Sequence, residues 1–155
     1  MTNYTLTGNQ YEIKYIDNKN RKHILSLASI GASIRQYTID SLDIVTPYPT
    51  NQIPQYFQGQ VLFPWANRLE DGLYEFEDQT IQTNINEIDK NNQLHGLSPL
   101  YSFELINQGE NWITLGLDLP PQKAYPFSIN TQIKYKLTDS GLIIESQIHN
   151  NGNKN

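Results

Sequence analysis

Two short segments of this chain hold the side chains best suited to chemistry. Phe63-Pro64-Trp65-Ala66-Asn67-Arg68 sets two large aromatics, a planar amide and a guanidinium close together. Aromatic faces stack on the C–H face of a sugar, and Asn and Arg exchange hydrogen bonds with hydroxyls. Leu94-His95-Gly96 supplies an imidazole beside a glycine, whose missing side chain permits close approach of backbone or ligand. A plainer reading stands beside each. Phe63 and Trp65 can tuck into a core while Arg68 pairs with Glu70 or Asp71, and residue types alone do not decide between the two. Of the other histidines, His23 opens a strand beside Arg21 and Lys22 and reads as a solvated strand end. His149 shares the outward parity of Glu145 and Gln147 and reads the same way.

Patterns that name other chemistries are missing. Neither GxxxxGK[ST] nor GxGxxG follows a strand, so no phosphate cradle is expected. HExxH and GxSxG are absent too, as is any spaced His and carboxylate cluster that suggests a metal. With 0 Cys, disulfides, thiolate nucleophiles and Cys-based zinc sites are excluded.

Composition narrows the class further. The chain's 155 residues and 17.9 kDa are one domain's worth of sequence, and residues 1–155 read as a single domain. Eleven Lys+Arg against 16 Asp+Glu give a net charge of -5 and a pI near 5.1, which argues against a nucleic-acid partner. Hydrophobic residues at 37% and aromatics at 11%, with only 17% charged, exclude a disordered chain. Met1 to Thr7 has no basic start and no apolar segment, so a secretory signal is not expected and a cytoplasmic location is. Asn3-Tyr4-Thr5 matches a glycosylation acceptor, which without secretion is an accidental match. No apolar run approaches the ~20 residues of a membrane helix.

The elements that must position these side chains are strands. Phe127, Ile129, Thr131, Ile133, Tyr135 and Leu137 alternate with polar residues, which is the period of a strand with one wet face. Asp139-Ser140-Gly141 supplies a turn, and Leu142, Ile144, Ser146 and Ile148 resume the alternation. Tyr11, Ile13 and Tyr15 turn at Asp17-Asn18-Lys19-Asn20 into His23 to Leu27. Tyr101 to Ile106 and Trp112 to Leu117 flank Asn107-Gln108-Gly109-Glu110, and Gly72 to Phe76 pairs with Ile81 to Ile85. No capped helical stripe occurs. Two irregular stretches, Thr46 to Asn67 and Glu87 to Pro99, remain as loops able to carry binding groups. The spacing predicts an all-β antiparallel sandwich with two long functional loops.

Taken in order, the motifs are familiar. Gly59 to Tyr74, reading GQVLFPWANRLEDGLY, then Leu94-His95-Gly96, resemble the aldose 1-epimerase (galactose mutarotase) family. Gly31-Ala32, Ala124-Tyr125-Pro126-Phe127 and Gly141-Leu142 fit the same series, and the similarity runs over nearly the whole chain. Leu97 stands where many relatives carry a second Gly. The resemblance implies a galactose mutarotase-like supersandwich and a cofactor-free isomerase that interconverts the α and β anomers of a free aldohexose such as galactose or glucose. A general acid protonates the ring oxygen while a general base takes the proton of the C1 hydroxyl. The ring opens, the aldehyde turns, and closure from the other face gives the other anomer. By the same resemblance Arg68 bonds sugar hydroxyls, Asn67 shapes the same rim, and His95 contacts the sugar near its ring oxygen.

The family pattern continues past the point this sequence reaches. Its general acid, a His in a His-Pro-Tyr-Phe-like segment, and its downstream general base, a Glu, have no match here, and His149 does not fit that motif. The chain therefore resembles an N-terminal half that holds binding residues without either proton handler. Two other readings stand beside it: a non-catalytic carbohydrate-binding or remnant β domain, and a hexose-phosphate epimerase. The latter wants extra basic residues near Arg68, and Thr46 to Phe57 offers none. A strand as long as Leu142 to His149, with no Lys or Pro to blunt it, predicts self-association, aggregation or a complementary half.

Overall fold

Alternation becomes sandwich in the computed structural model, which describes residues 5–152. Asn3 and Tyr4 of the acceptor tripeptide lie outside the described residues. Strands β1 (Gln10–Ile16), β2 (Lys22–Ala28), β3 (Ser33–Ile39) and β4 (Leu42–Asp43) form one antiparallel sheet in that order. After two small ladders come β9 (Glu104–Gln108), β10 (Trp112–Leu119), β11 (Ile129–Thr138) and β12 (Gly141–Asn150), which form the second sheet. Between the sheets lie Ile13, Leu25 and Leu27 from one side and Ile113, Leu115, Ile133, Tyr135 and Leu137 from the other, all buried. Every inward residue that the sequence marks on β11, from Ile129 to Leu137, is buried, and Phe127 just before it is too. The Tyr135 hydroxyl crosses to the other layer and donates to the carbonyl of Ala32. Among the described residues only short 3₁₀ turns represent helix, and none is long and apolar enough to cross a membrane.

His23 is not a solvated strand end. It shares parity with Leu25 and Leu27, and that face of β2 is the core face, so His23 is fully buried. Its two nitrogens are both engaged, Nδ1 at 2.8 Å from the Tyr37 hydroxyl and Nε2 at 3.2 Å from Asp17 Oδ2. Burial works to raise the Asp17 carboxyl, but hydrogen bonds from the Arg21 amide and guanidinium, His23 and the Lys19 amide hold it well below the usual carboxylate range. Charged neighbours in sequence pointed outward, and the period-two parity overrode them. Replacing His23 by Ala should leave the Tyr37 hydroxyl without its partner and cost about 1–3 kcal/mol, measurable by urea unfolding.

β12 also departs from expectation. In register, Ile144 lies opposite the buried Tyr135 and Ile148 opposite the buried Thr131, so both point to the core side. Yet they are 49% and 52% exposed. Core-side parity buries a side chain only where the other layer covers it, and from Ile144 onward it does not cover β12.

The two irregular stretches are stitched to each other. β5 (Arg68–Glu70) pairs with β8 (Asn92–Leu94), placing Arg68 opposite Leu94, and Phe63 bridges Gly96. The Phe63 carbonyl accepts from the amides of Leu97 and Ser98 at 2.7 and 3.0 Å. The hairpin of β6 (Leu73–Phe76) and β7 (Gln79–Gln82) lies between them in sequence. A backbone ladder thus joins the two loops that the motifs single out.

Candidate functional site

Asn67 and His95, 28 positions apart in sequence, are locked by a reciprocal pair of bonds. The His95 amide donates to the Asn67 carbonyl at 3.0 Å, and the Asn67 amide donates to His95 Nδ1 at 2.9 Å. Both residues take the left-handed backbone, with φ of 65° each, and this turns the imidazole back onto the neighbouring strand end. A backbone N–H can only donate, so Nδ1 carries the lone pair and the ring proton sits on Nε2. Partial burial and the Arg68 charge both lower the His95 pKa, and Glu87 opposes them only in part. His95 is thereby a neutral imidazole with Nε2–H as its donor. Phe57 closes one side of the ring edge-on, with centroids 4.8 Å apart.

Arg68 does not pair with Glu70 or Asp71. Its Nε and Nη2 donate to the two oxygens of Glu87, each at 2.7 Å, in a bidentate fork. The third nitrogen, Nη1, reaches Asn67 Oδ1 at 3.3 Å. Asn92 Nδ2 and Lys90 Nζ also bond the Glu87 carboxylate, at 3.0 and 3.2 Å. The Arg68 bond, then that of Asn92, draws the Glu87 pKa down to about 2. Fixed on one edge, the guanidinium keeps spare donors on the Nη1 and Nη2 side, and Arg68 is exposed. The structure therefore brings Asn67, Arg68 and His95 to one rim.

Glu87 and Phe57 escaped sequence reasoning, where Glu87 appeared only as a loop boundary. Nothing in local spacing marks the Arg68–Glu87 contact, because it needs the β5–β8 ladder and the turn at Ile88–Lys90 to bring the two together. Because the Glu87 pKa is depressed, its contribution to stability is present above the ordinary value of 4.5 and lost as pH falls through about 2. In Glu87→Gln that acid-sensitive component should disappear from a pH series of thermal unfolding, and an unchanged series would contradict the fork.

Behind the rim lies an aromatic layer. Trp65 Nε1 donates to Gln93 Oε1, whose amide donates in turn to the Gly96 carbonyl at 2.7 Å. Trp65 lies 5.9 Å from Tyr74 and 6.3 Å from Tyr125, centroid to centroid. Phe63, Phe76 and Leu97 pack onto the small cluster of Leu119, Phe127 and Ile129. Phe63 thus supports the core edge, as the plainer reading has it, while Trp65 stays half-buried beside the rim.

The two-layer antiparallel sandwich has structural parallels among solved proteins. The C. elegans homologue of GalM/aldose epimerase superposes with a TM-score of 0.77 at 15% identity, over 92% of this chain and 47% of that one. A putative aldose 1-epimerase of Escherichia coli gives 0.74 at 15%, over 93% and 47%. Galactose 1-epimerase of Lactobacillus acidophilus gives 0.64 at 18%, over 89% and 48%. The fold is that of the galactose mutarotase-like proteins. In sequence, the aldose 1-epimerase family model matches residues 4–155, and the chain belongs to that family. The uncharacterized protein YihR of Escherichia coli is 30% identical over 128 residues, which is 82% of this chain and 42% of that protein. The chain spans somewhat less than half the length of these relatives.

Proposed function

We propose that residues 1–155 form the sugar-binding side of an aldose 1-epimerase that interconverts the α and β anomers of a free aldohexose such as galactose or glucose. The observation that carries this reading is the His95 imidazole, neutral and locked by the Asn67 amide beside the forked Arg68. In ring opening the ring oxygen gains a proton as the C1 hydroxyl loses one. His95 Nε2–H donates a hydrogen bond toward the ring oxygen and so favours charge developing there. Arg68 gives its spare N–H groups to sugar hydroxyls, and Asn67 holds both neighbours in place.

Neither full proton transfer is supplied by these groups. Neutral imidazole is a very weak acid, and the Glu87 carboxylate, held at about 2 by Arg68 and Asn92, is a poor base. The general acid and base come from outside residues 1–155, in a complementary half of the fold. A reading as a purely sugar-binding β domain rests on the same rim and differs only in lacking that half. The hexose-phosphate reading is disfavoured, since both Arg68 and Lys90 are already engaged in ion pairs with Glu87.

The test is titration with galactose and glucose, followed by the amide resonances of Asn67, Arg68 and His95. Saturable shifts at these residues are expected, with Arg68→Ala weakening binding ~10-fold or more, as for loss of a charged hydrogen bond. Shifts confined to other regions would contradict the proposal. Binding should also weaken as pH falls through the lowered His95 pKa, because a proton on Nδ1 breaks the bond from Asn67.

A further inference from the structure

The Glu87 carboxylate has no spare acceptor site. Its Oε1 takes bonds from Arg68 Nη2 and Lys90 Nζ, and its Oε2 from Arg68 Nε and Asn92 Nδ2. Two carboxylate oxygens offer about four lone-pair sites, and these bonds fill them. The Glu87 side chain is 18% exposed, against 44% for Arg68 and 59% for Lys90, so the acid lies behind the two bases that a ligand meets. The backbone fixes it there. Glu87 and Asn92 exchange amide-to-carbonyl bonds at 3.0 and 3.2 Å, closing a turn through the left-handed Asn91. The preceding Asn86 grips Leu94, accepting from its amide at 2.6 Å and donating to its carbonyl at 2.9 Å. Leu94 is the residue opposite Arg68 in the β5–β8 ladder. Consecutive side chains thus secure Arg68 twice, Asn86 through its backbone partner and Glu87 through its guanidinium.

We propose that Glu87 is the positioning and selectivity residue of the rim, aiming Arg68 at sugar hydroxyls and keeping anions off it. The aim rests on the sugar-binding reading of this rim; the exclusion of anions does not. With Nε and Nη2 committed to Glu87, the planar guanidinium is left with the edge between Nη1 and Nη2. Two parallel N–H groups on that edge suit two neighbouring hydroxyl oxygens, and they suit two oxygens of a phosphate equally well. Hydrogen-bond geometry therefore does not tell a neutral sugar from an anion. Charge does. Glu87 offsets one of the two cations it pairs with, and without it both Arg68 and Lys90 would meet the ligand unbalanced. An anion on the open edge also feels the fixed negative charge behind the guanidinium, which a neutral hydroxyl does not. With its pKa at about 2, the acid keeps that charge at neutral and mildly acidic pH.

The test titrates the 155-residue chain with galactose and, separately, with inorganic phosphate, reading the Arg68 side-chain Nε–H and the Asn67 and His95 amides by NMR. In the wild type galactose should shift these signals saturably while phosphate leaves them in place. Glu87→Gln, which removes the charge and breaks the fork, should weaken galactose roughly 10-fold and strengthen phosphate by a similar factor. Adding Arg68→Ala to Glu87→Gln should erase the phosphate binding. Glu87→Asp keeps the charge but withdraws it by one methylene, so it should lose galactose affinity and still exclude phosphate. That split is one a merely structural role would not produce. Phosphate affinity left unchanged by Glu87→Gln, a phosphate gain that survives Arg68→Ala, or unchanged galactose affinity where the wild type binds galactose each overturns the assignment. A wild type that ignores galactose sinks the sugar reading instead, and the phosphate arm still decides whether Glu87 guards Arg68.

Discussion

Freshly dissolved α-D-galactose mixed with the 155-residue chain is expected to reach anomeric equilibrium at close to its spontaneous rate. Mutarotation needs a proton delivered to the ring oxygen and another removed from the C1 hydroxyl. A positioned acid or base contributes about 10²–10⁴-fold each, so a site without both forfeits roughly 10⁴–10⁸. In the role proposed for it, His95 polarises the ring oxygen but keeps its proton, because the Asn67 amide occupies Nδ1 and the lowered pKa disfavours imidazolium. Glu87 is bound to Arg68, Asn92 and Lys90. Polarimetry on the purified chain reads the result directly. A rate matching that of a full-length relative would contradict the division of labour and make His95 itself the proton donor.

Gly96→Ala is the substitution expected to damage the site most through the backbone. Gly96 has φ of +69°, and a Cβ there would clash with the Phe63 carbonyl oxygen and lie 2.6 Å from its carbon. The left-handed backbone alone costs a non-glycine residue of order 1–3 kcal/mol. The clash adds to this, since the Phe63 carbonyl also holds the Leu97 and Ser98 amides. Relief must pull the two loops apart, which unseats His95 and the Gln93 link to Trp65 together. Loss of sugar binding with a clear drop in melting temperature is the expected pair of results. Gly141→Ala serves as the comparison, being left-handed with φ of +117° but with only the Tyr37 hydroxyl nearby at 3.7 Å. It should cost stability and leave the rim intact. Equal effects on binding from both substitutions would show that the Gly96–Phe63 contact does not position the site.

Much of this arrangement is legible in the sequence, for identifiable physical reasons. The period of two on β11 reports burial because both layers cover that strand, so Ile129 to Leu137 read correctly residue by residue. On β12 the same alternation gives the right face and the wrong burial, since parity is local and cover is not. His23 went astray in the opposite sense: its parity with Leu25 and Leu27 was visible, but Arg21 and Lys22 suggested solvent. Its polar partners, Asp17 and Tyr37, are what make its burial tolerable. Asn67, Arg68 and His95 are singled out by the ordered motifs, and the fold sets them side by side. Glu87 carries no motif, and its role depends on a cross-loop ladder that no spacing rule encodes. Gly96 was marked as a place of close approach, and what approaches is the Phe63 carbonyl.

The most direct measurement is of the His95 ring nitrogens by long-range ¹H–¹⁵N correlation, across pH and with galactose added. The account predicts an Nε2-protonated neutral ring that stays neutral below the ordinary imidazole value of 6.5, with an Nε2 signal that moves as sugar saturates. A ring protonated on Nδ1, or one that titrates at or above 6.5 and ignores galactose, would contradict it.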